Sequence, residues 1–168
     1  MDRPTVVGRA CGSCMMCCKL PKIVPLSKDA GVWCKFAKAG KGCTNYEERP
    51  DECRTFYCDW MLDANLSAEW KPTVAKFLTY TNTISGNFTI LPDIGYPNSW
   101  KSPIYYSTLK THACKLLDLG TITLVSHGKN VTVLLPDRDE TVTISPNDQI
   151  ILKKIKIGND FRYEISIS

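Results

Sequence analysis

Alternating hydrophobic and polar residues dominate the second half of the chain and predict three β-hairpins. The segments VAKFLTYTN and NFTILPD flank a turn at Ser85-Gly86, and TITLVS and NVTVLLPD flank a turn at His127-Gly128. A third pair, QIILKKIKI and FRYEISIS, flanks residues 158–160. Strand-forming Val, Ile, Thr and Tyr around a glycine-containing turn are typical of hairpins. We therefore expect an antiparallel sheet in this half.

One segment between these hairpins has the period of a helix instead. Between Pro103 and Leu119 the apolar residues recur three or four positions apart, and Gly120 supplies a stop signal. The apolar positions are Ile104, Tyr105, Leu109, Ala113, Leu116 and Leu117. The fold class that follows is α+β, with a small antiparallel β-sheet and one long helix.

Residues 1–72 show a different pattern. Gly, Pro and Lys interrupt this segment every few positions, and no apolar period extends beyond short helix candidates. We expect a loop-rich cysteine module over 1–72 and an α+β body over 73–168, packed as one structural unit. The length of 168 residues suits one domain with a small appendage.

Cysteine is concentrated in the N-terminal module. Eight of the nine lie before residue 60, namely Cys11, Cys14, Cys17, Cys18, Cys34, Cys43, Cys53 and Cys58. A disulfide between adjacent Cys17 and Cys18 is disfavoured, because neighbouring Cα atoms lie about 3.8 Å apart and a relaxed disulfide needs about 4.4 to 6.8 Å. If residues 11–18 are helical, their four cysteines share an arc of about 120°. Cys114 stands alone on the predicted helix and is expected to be a core residue.

Three kinds of site compete for the eight cysteines: a disulfide framework, a redox or catalytic thiol, and a metal centre. The N-terminus lacks the apolar region of a secretory signal, and no apolar run approaches the length of about 18 residues that spans a membrane. Both features favour the reducing cytoplasm, where clustered cysteines more often bind metal than form disulfides. Four thiolates are the usual ligand count of zinc and of iron–sulfur clusters.

The spacing favours zinc over iron or an iron–sulfur cluster. Cys11, Cys14 and Cys17 open the bacterial ferredoxin pattern, but the next cysteine follows immediately instead of three residues later. Paired C-x2-C units suit zinc. Two separate sites and one polynuclear centre both remain open. Basic residues adjacent to cysteines are expected to stabilise thiolates, and these are Arg9, Lys19, Lys35 and Arg54. Trp33 and Trp60 flank cysteines and are expected to shield the centre from water.

Other chemistry has less support. Lys and Arg are interleaved with Asp and Glu at a net charge of +4, which does not favour a nucleic-acid partner. The sequence contains no nucleophile-elbow, zinc-protease or phosphate-loop motif. His112 precedes Cys114 by two positions, a spacing that points the two side chains apart on a helix. The sequence therefore leaves enzymatic activity open and indicates no catalytic residue.

The cysteine segment resembles a known family. CGSCMMCC, the pair Trp33-Cys34 and the run GCTNYEERPDECRTFYCDW are similar to the CxxCxxCC cysteine-cluster family, also called YkgJ-like and described as a zinc- or iron-chelating domain. Tyr46, Arg49 and Pro50 belong to the match. Further on, LPDIGYPNSWKSPIYY and VLLPD resemble the family's continuation more loosely. The resemblance implies metal chelation in a bacterial or phage-borne protein.

Three functional hypotheses follow. The leading one is a metal-binding protein that chelates zinc or iron through the eight cysteines and uses the metal structurally, or stores, delivers or senses it. The alternative is an iron–sulfur or iron-dependent enzyme or electron-transfer protein. The flagellin lysine methylases share a similar cluster, so the resemblance extends this alternative to methylase-associated chemistry, although the sequence lacks a cofactor-binding glycine motif. In the third, the cluster is a structural staple for a partner-binding domain.

Overall fold

The body of the protein is a five-stranded sheet. A computed structural model describes residues 5–158 and 160–168. The sheet strands are β3 (Phe77–Thr81), β4 (Phe88–Pro92), β5 (Thr123–His127), β6 (Asn130–Leu134) and β7 (Asp139–Thr143), and they lie side by side in chain order. A separate hairpin is formed by β8 (Ile150–Ile157) and β9 (Asp160–Ile167). All three predicted hairpins are therefore present, with Asn159 of the last turn outside the described residues.

The prediction of a wholly antiparallel sheet is wrong at one pairing. Strands β4 and β5 run parallel, with Phe88 opposite Thr123 and Ile90 opposite Val125. The connection between them is the long helix α5 (Pro103–Asp118), and parallel neighbours need such a crossover. The other neighbouring strand pairs of this sheet are antiparallel. The sheet is therefore mixed, within the expected α+β class.

Helix α5 has the predicted position and covers one face of the sheet. Pro103 occupies its first turn, and Gly120, just beyond its end, has a φ of +78° that suits the left-handed stop. Leu109 and Ala113 of the helix, each 1% exposed, pack in one core with sheet residues. The core consists of Ala75, Phe77, Phe88, Ile90, Trp100, Tyr105, Leu109, Ala113, Val125 and Leu134.

The β8–β9 hairpin attaches to the body through side chains. Leu117, Ile122, Val133, Leu135 and Tyr163 form a second buried cluster, against which Leu152 and Ile165 of the hairpin also pack. The guanidinium of Arg138 donates to the carbonyl of Tyr163 at 2.7 Å. The hairpin is thus fixed to the sheet without extending its hydrogen-bonded ladder.

The N-terminal module consists of short elements and loops. Its α-helices are α1 (Met16–Lys19), α2 (Asp51–Arg54) and α3 (Asp59–Leu62), and its strands are β1 (Ala37–Lys38) and β2 (Gly42–Cys43). Helix α4 (Pro72–Ala75) begins at the boundary with the body. The conditional expectation of a helix over residues 11–18 is wrong. Gly12 has a φ of +51°, and the amide of Cys14 donates to the carbonyl of Cys11 at 2.8 Å, so a turn precedes α1.

The module packs on the face of β3 opposite to α5. Successive strand residues point to opposite faces, so Phe77 enters the main core while Leu78 contacts the module. Leu78, Met16 and Leu20 form a third buried cluster. In the described part of the chain, no helix combines the length and apolarity needed to cross a membrane.

Candidate metal centre

The structure places the eight predicted ligands in the N-terminal module as free thiols. The eight cysteines lie on different kinds of local structure. A turn, two short helices, a two-stranded ribbon and the connecting loops each contain one or two of them. We group them by packing, backbone hydrogen bonds and electrostatic interactions into two neighbourhoods, and Cys18 of the second also interacts with Cys11 and Cys17 of the first. The first thiol group comprises Cys11, Cys14, Cys17 and Cys58, and the second thiol group comprises Cys18, Cys34, Cys43 and Cys53.

The first thiol group lies above the apolar cluster on β3. Cys14, Cys17 and Cys58 all pack against the Met16, Leu20 and Leu78 cluster, although Cys58 is remote from the other two in sequence. Cys11 joins them through the turn that its carbonyl closes with the Cys14 amide. Burial, with smaller contributions from Cys11 and Cys14, raises the pKa of Cys58 to about 11 against the opposing effect of the Met61 backbone amide.

The second thiol group is assembled by backbone hydrogen bonds between loops. The amide of Cys34 donates to the carbonyl of Cys18 at 2.9 Å, and the amide of Ala37 donates to the carbonyl of Cys34 at 2.9 Å. Ala37 in turn pairs with Cys43 across the β1–β2 ribbon. Burial raises the pKa of Cys53, and so do the thiols of Cys18, Cys34 and Cys43. The four thiols therefore share one neighbourhood.

The two groups meet at the adjacent residues Cys17 and Cys18. The Cys17 thiol donates a hydrogen bond to the Cys18 sulfur, which raises the pKa of Cys17 and lowers that of Cys18. Burial further raises the pKa of Cys17. At Cys18 burial acts to raise the pKa, whereas the positive charges of Lys28 and Arg49 help to lower it. Cys18 is thus the thiol of this pair that ionises more readily.

A buried lysine lies beside the second thiol group. Lys28 is 6% exposed, and its ammonium donates to the carbonyls of Lys19 at 2.8 Å, Asp29 at 3.0 Å and Pro21. Burial lowers the pKa of Lys28, whereas the thiols of Cys34, Cys18 and Cys53 act to raise it. The ammonium therefore places a positive charge near three thiols of one group.

The four basic residues expected beside the thiols have other partners. Arg9 donates to carbonyls of Trp60, Asp63 and Leu66, and Arg54 donates to those of Glu47 and Arg49. Lys19 pairs with Asp93, and the ammonium of Lys35 lies 5.0 Å from the Phe36 ring centroid. The cations whose charge favours the thiolates are Lys28, Arg49 and Lys71. These three residues could not be identified from their positions next to cysteines in the sequence, because it is the folding of the loops that brings them near the thiols.

The thiol groups are neighbourhoods rather than finished coordination spheres. Within residues 5–158 and 160–168, no three side chains of His, Cys, Asp or Glu converge as a ready metal site. A zinc–sulfur bond is about 2.3 Å long. In either group, the cysteine side chains must therefore move toward one another to enclose an ion.

The other candidate residues lie apart from this chemistry. The His112 ring packs edge-on against Phe88, with centroids 4.7 Å apart, and Cys114 is half-buried on the same helix. Trp33 is 49% exposed, with the Lys19 ammonium 5.3 Å from its ring centroid. Trp60 has the guanidinium of Arg9 and the ammonium of Lys71 near its ring, at 5.0 and 5.3 Å.

An ion pair joins the module to the end of β4. The ammonium of Lys19 lies 2.7 and 2.8 Å from the two carboxylate oxygens of Asp93, which also accepts from the Gly95 amide at 2.9 Å. Burial alone raises the pKa of Asp93, but the Lys19 ammonium and the Gly95 amide hold that pKa below its usual value. The pair is mostly buried, so we expect it to contribute to stability.

Asp93→Asn is expected to lower the free energy of unfolding by about 1.5 to 3 kcal/mol, the range for a hydrogen bond to a charged group. Because folding lowers the pKa of Asp93, its contribution is complete above the unfolded pKa and is lost as pH falls through the folded pKa. Urea denaturation at neutral and acidic pH measures both effects. Asp137→Asn, in an exposed pair with Arg138, is the control and should change little. Equal losses in the two variants would contradict this role.

Comparison of the chain with protein-family models, curated proteins and solved structures found no match.

Proposed function

We propose that this protein is a metal-binding protein that chelates zinc or iron through its cluster of eight cysteines, with zinc favoured. The observation that carries the proposal is the gathering of thiols from distant parts of residues 11–58 into two groups of four. The proposed ligands are Cys11, Cys14, Cys17, Cys18, Cys34, Cys43, Cys53 and Cys58. The resemblance of this segment to the CxxCxxCC cysteine-cluster family points to the same chemistry.

The donor set suits such an ion. Thiolates bind zinc and iron, and four thiolates satisfy one tetrahedral zinc. Lys28, Arg49 and Lys71 bring positive charge to the thiols, which favours their ionised form. The residues fit the ion in kind and number, and coordination requires that the thiols of each group come together around it.

The metal's role in this proposal is to order the module over residues 1–72. Its α-helices are each four residues long, well below the length at which isolated helices persist. Metal bonds add crosslinks between such elements, and binding free energy then becomes folding free energy. A reducing compartment such as the cytoplasm keeps the thiols available for this task.

Metal analysis with an ultraviolet–visible spectrum on anaerobically purified protein tests the proposal. We expect stoichiometric zinc, a colourless solution and reduced cysteines in a denaturing thiol titration. A brown protein with visible charge-transfer absorption would instead support the alternative of an iron–sulfur enzyme or electron carrier. Four disulfides, or no bound metal in reduced protein, would refute chelation.

Cys114→Ser and Cys53→Ser are a matched pair for the same analysis. Each replaces one sulfur by oxygen, but Cys114 lies on α5 and Cys53 lies on α2 in the second thiol group. Metal content should stay unchanged in the first variant and fall in the second. Loss of a full metal equivalent in Cys114→Ser would show that this cysteine is a ligand.

A further inference from the structure

We propose that the eight thiols form two separate four-thiolate centres, and that the boundary between the centres falls between the adjacent residues Cys17 and Cys18. This inference rests on the proposed function and assigns its ligands. The first centre uses Cys11, Cys14, Cys17 and Cys58. The second centre uses Cys18, Cys34, Cys43 and Cys53.

Helix α1 carries both adjacent cysteines. Successive residues on a helix lie about 100° apart, so Cys17 and Cys18 face different neighbours although their sulfurs are hydrogen-bonded to each other. Cys17 packs on the apolar cluster with Cys14 and Cys58. The backbone of Cys18 is instead hydrogen-bonded to that of Cys34. The adjacent pair thus serves both groups, which gives a physical reason for two neighbouring cysteines.

The first centre has an apolar base. Leu78 of β3, 1% exposed, and Met16 and Leu20 of the α1 region lie beneath three of its thiols. The fourth thiol, Cys11, is exposed at the outer side of the turn that holds Cys14. This arrangement places the first centre over the Leu78 side of β3, with its fourth thiol exposed to solvent.

The second centre has a charged neighbour. Four thiolates around a divalent ion carry two net negative charges, and an ammonium within the protein offsets part of them. Lys28 supplies this charge, fixed by three backbone carbonyls beside Cys18, Cys34 and Cys53. Val24, near Lys28, also binds the Glu52 carboxylate through its amide at 3.3 Å, which ties the Lys28 loop to the helix of Cys53.

Double substitutions in the full-length chain, reconstituted with zinc, test the assignment. Cys58→Ser and Cys53→Ser should each lose one of two zinc equivalents. The same-centre pair Cys14→Ser/Cys58→Ser should lose no more than Cys58→Ser alone, whereas Cys53→Ser/Cys58→Ser should lose both. Cys17→Ser and Cys18→Ser, although adjacent, should behave as members of different centres. Loss of both equivalents in either single variant would overturn the division in favour of one polynuclear centre.

Lys28→Met provides a second measurement. In a Cys58→Ser background, where only the second centre binds, it should lower zinc affinity by about 10- to 100-fold, the usual cost of losing an outer-shell partner, and so speed zinc loss to a chelator. In a Cys53→Ser background, where only the first centre binds, it should have no effect. Equal acceleration in both backgrounds would overturn the assignment of Lys28 to the second centre.

Cobalt(II) titration of the unmodified protein tests the division without any variant. Separate centres give tetrahedral thiolate absorption that rises in proportion to metal up to two equivalents, with magnetically independent ions. Bridging sulfur in a polynuclear centre shifts the charge-transfer bands late in the titration and couples the spins, and this result would overturn the proposal. Failure to bind zinc or cobalt at all would instead refute the proposed function.

Discussion

Removal of bound metal is expected to expose residues before about 72 to protease while leaving the five-stranded sheet intact. The buried apolar residues of that segment, within the described chain, are Met16, Leu20, Ile23, Cys34 and Met61. Ordering its backbone costs conformational entropy, which so few buried side chains offset only in part. A structural zinc contributes about 10 to 16 kcal/mol of apparent binding free energy. The body keeps its own core between α5 and the sheet.

Limited proteolysis with and without a strong chelator measures this effect, with cut sites identified by mass spectrometry. The same chelator saturated with zinc is the control for direct effects on the protease or the protein. Cuts confined to the region before residue 72 fit the expectation. An unchanged pattern after verified metal removal, or equal cleavage throughout both regions, would contradict it.

Leu78→Ala is expected to lower the free energy of unfolding by about 2 to 5 kcal/mol and also to accelerate zinc release. Leu78 is 1% exposed and belongs to the apolar cluster beneath Cys14, Cys17 and Cys58. Truncating it leaves a cavity under the proposed first centre, so the thiols lose their support. Urea denaturation and zinc transfer to a chromophoric chelator measure the two effects.

Leu109→Ala is the matched control, because it makes the same truncation at a position that is also 1% exposed. Leu109 lies on α5 in the main core, on the other face of the sheet from the thiols. A comparable stability loss is expected, without faster zinc release under conditions where both variants remain folded. Equal acceleration in the two variants would show that zinc release follows global stability and not local support.

Most strands and the long helix of the body could be predicted, because each shows its own hydrophobic period within a short stretch of sequence. The three hairpins and α5 lie where the alternating and helical patterns predict them. The parallel pairing of β4 with β5 was not predictable from those patterns, because it depends on where α5 returns the chain. Strand β7 was missed since its sequence, DETVT, is largely polar, and its Asp139 binds Tyr106 and Lys110 of α5.

The candidate ligands were predictable as a set, and their grouping was not. Spacing alone associates Cys18 with the three cysteines before it, whereas in the fold Cys18 also contacts the later cysteines, through the Cys34 amide and an electrostatic interaction with Cys53. The loop that returns the chain from Leu20 to Cys34 produces these additional contacts. Lys28 was missed for a similar reason, since it is ten positions from Cys18 in the sequence and reaches the thiols through its loop.

The order of the ligands along the chain has a consequence for assembly. The second thiol group, from Cys18 to Cys53, is nested entirely between Cys17 and Cys58 of the first. A chain synthesised from its N-terminus therefore presents all inner thiols before the last outer one. Metal bound by the inner four shortens the free chain that the outer four must close, which lowers the entropy cost of that second closure. Nesting thus favours an inside-out order of loading.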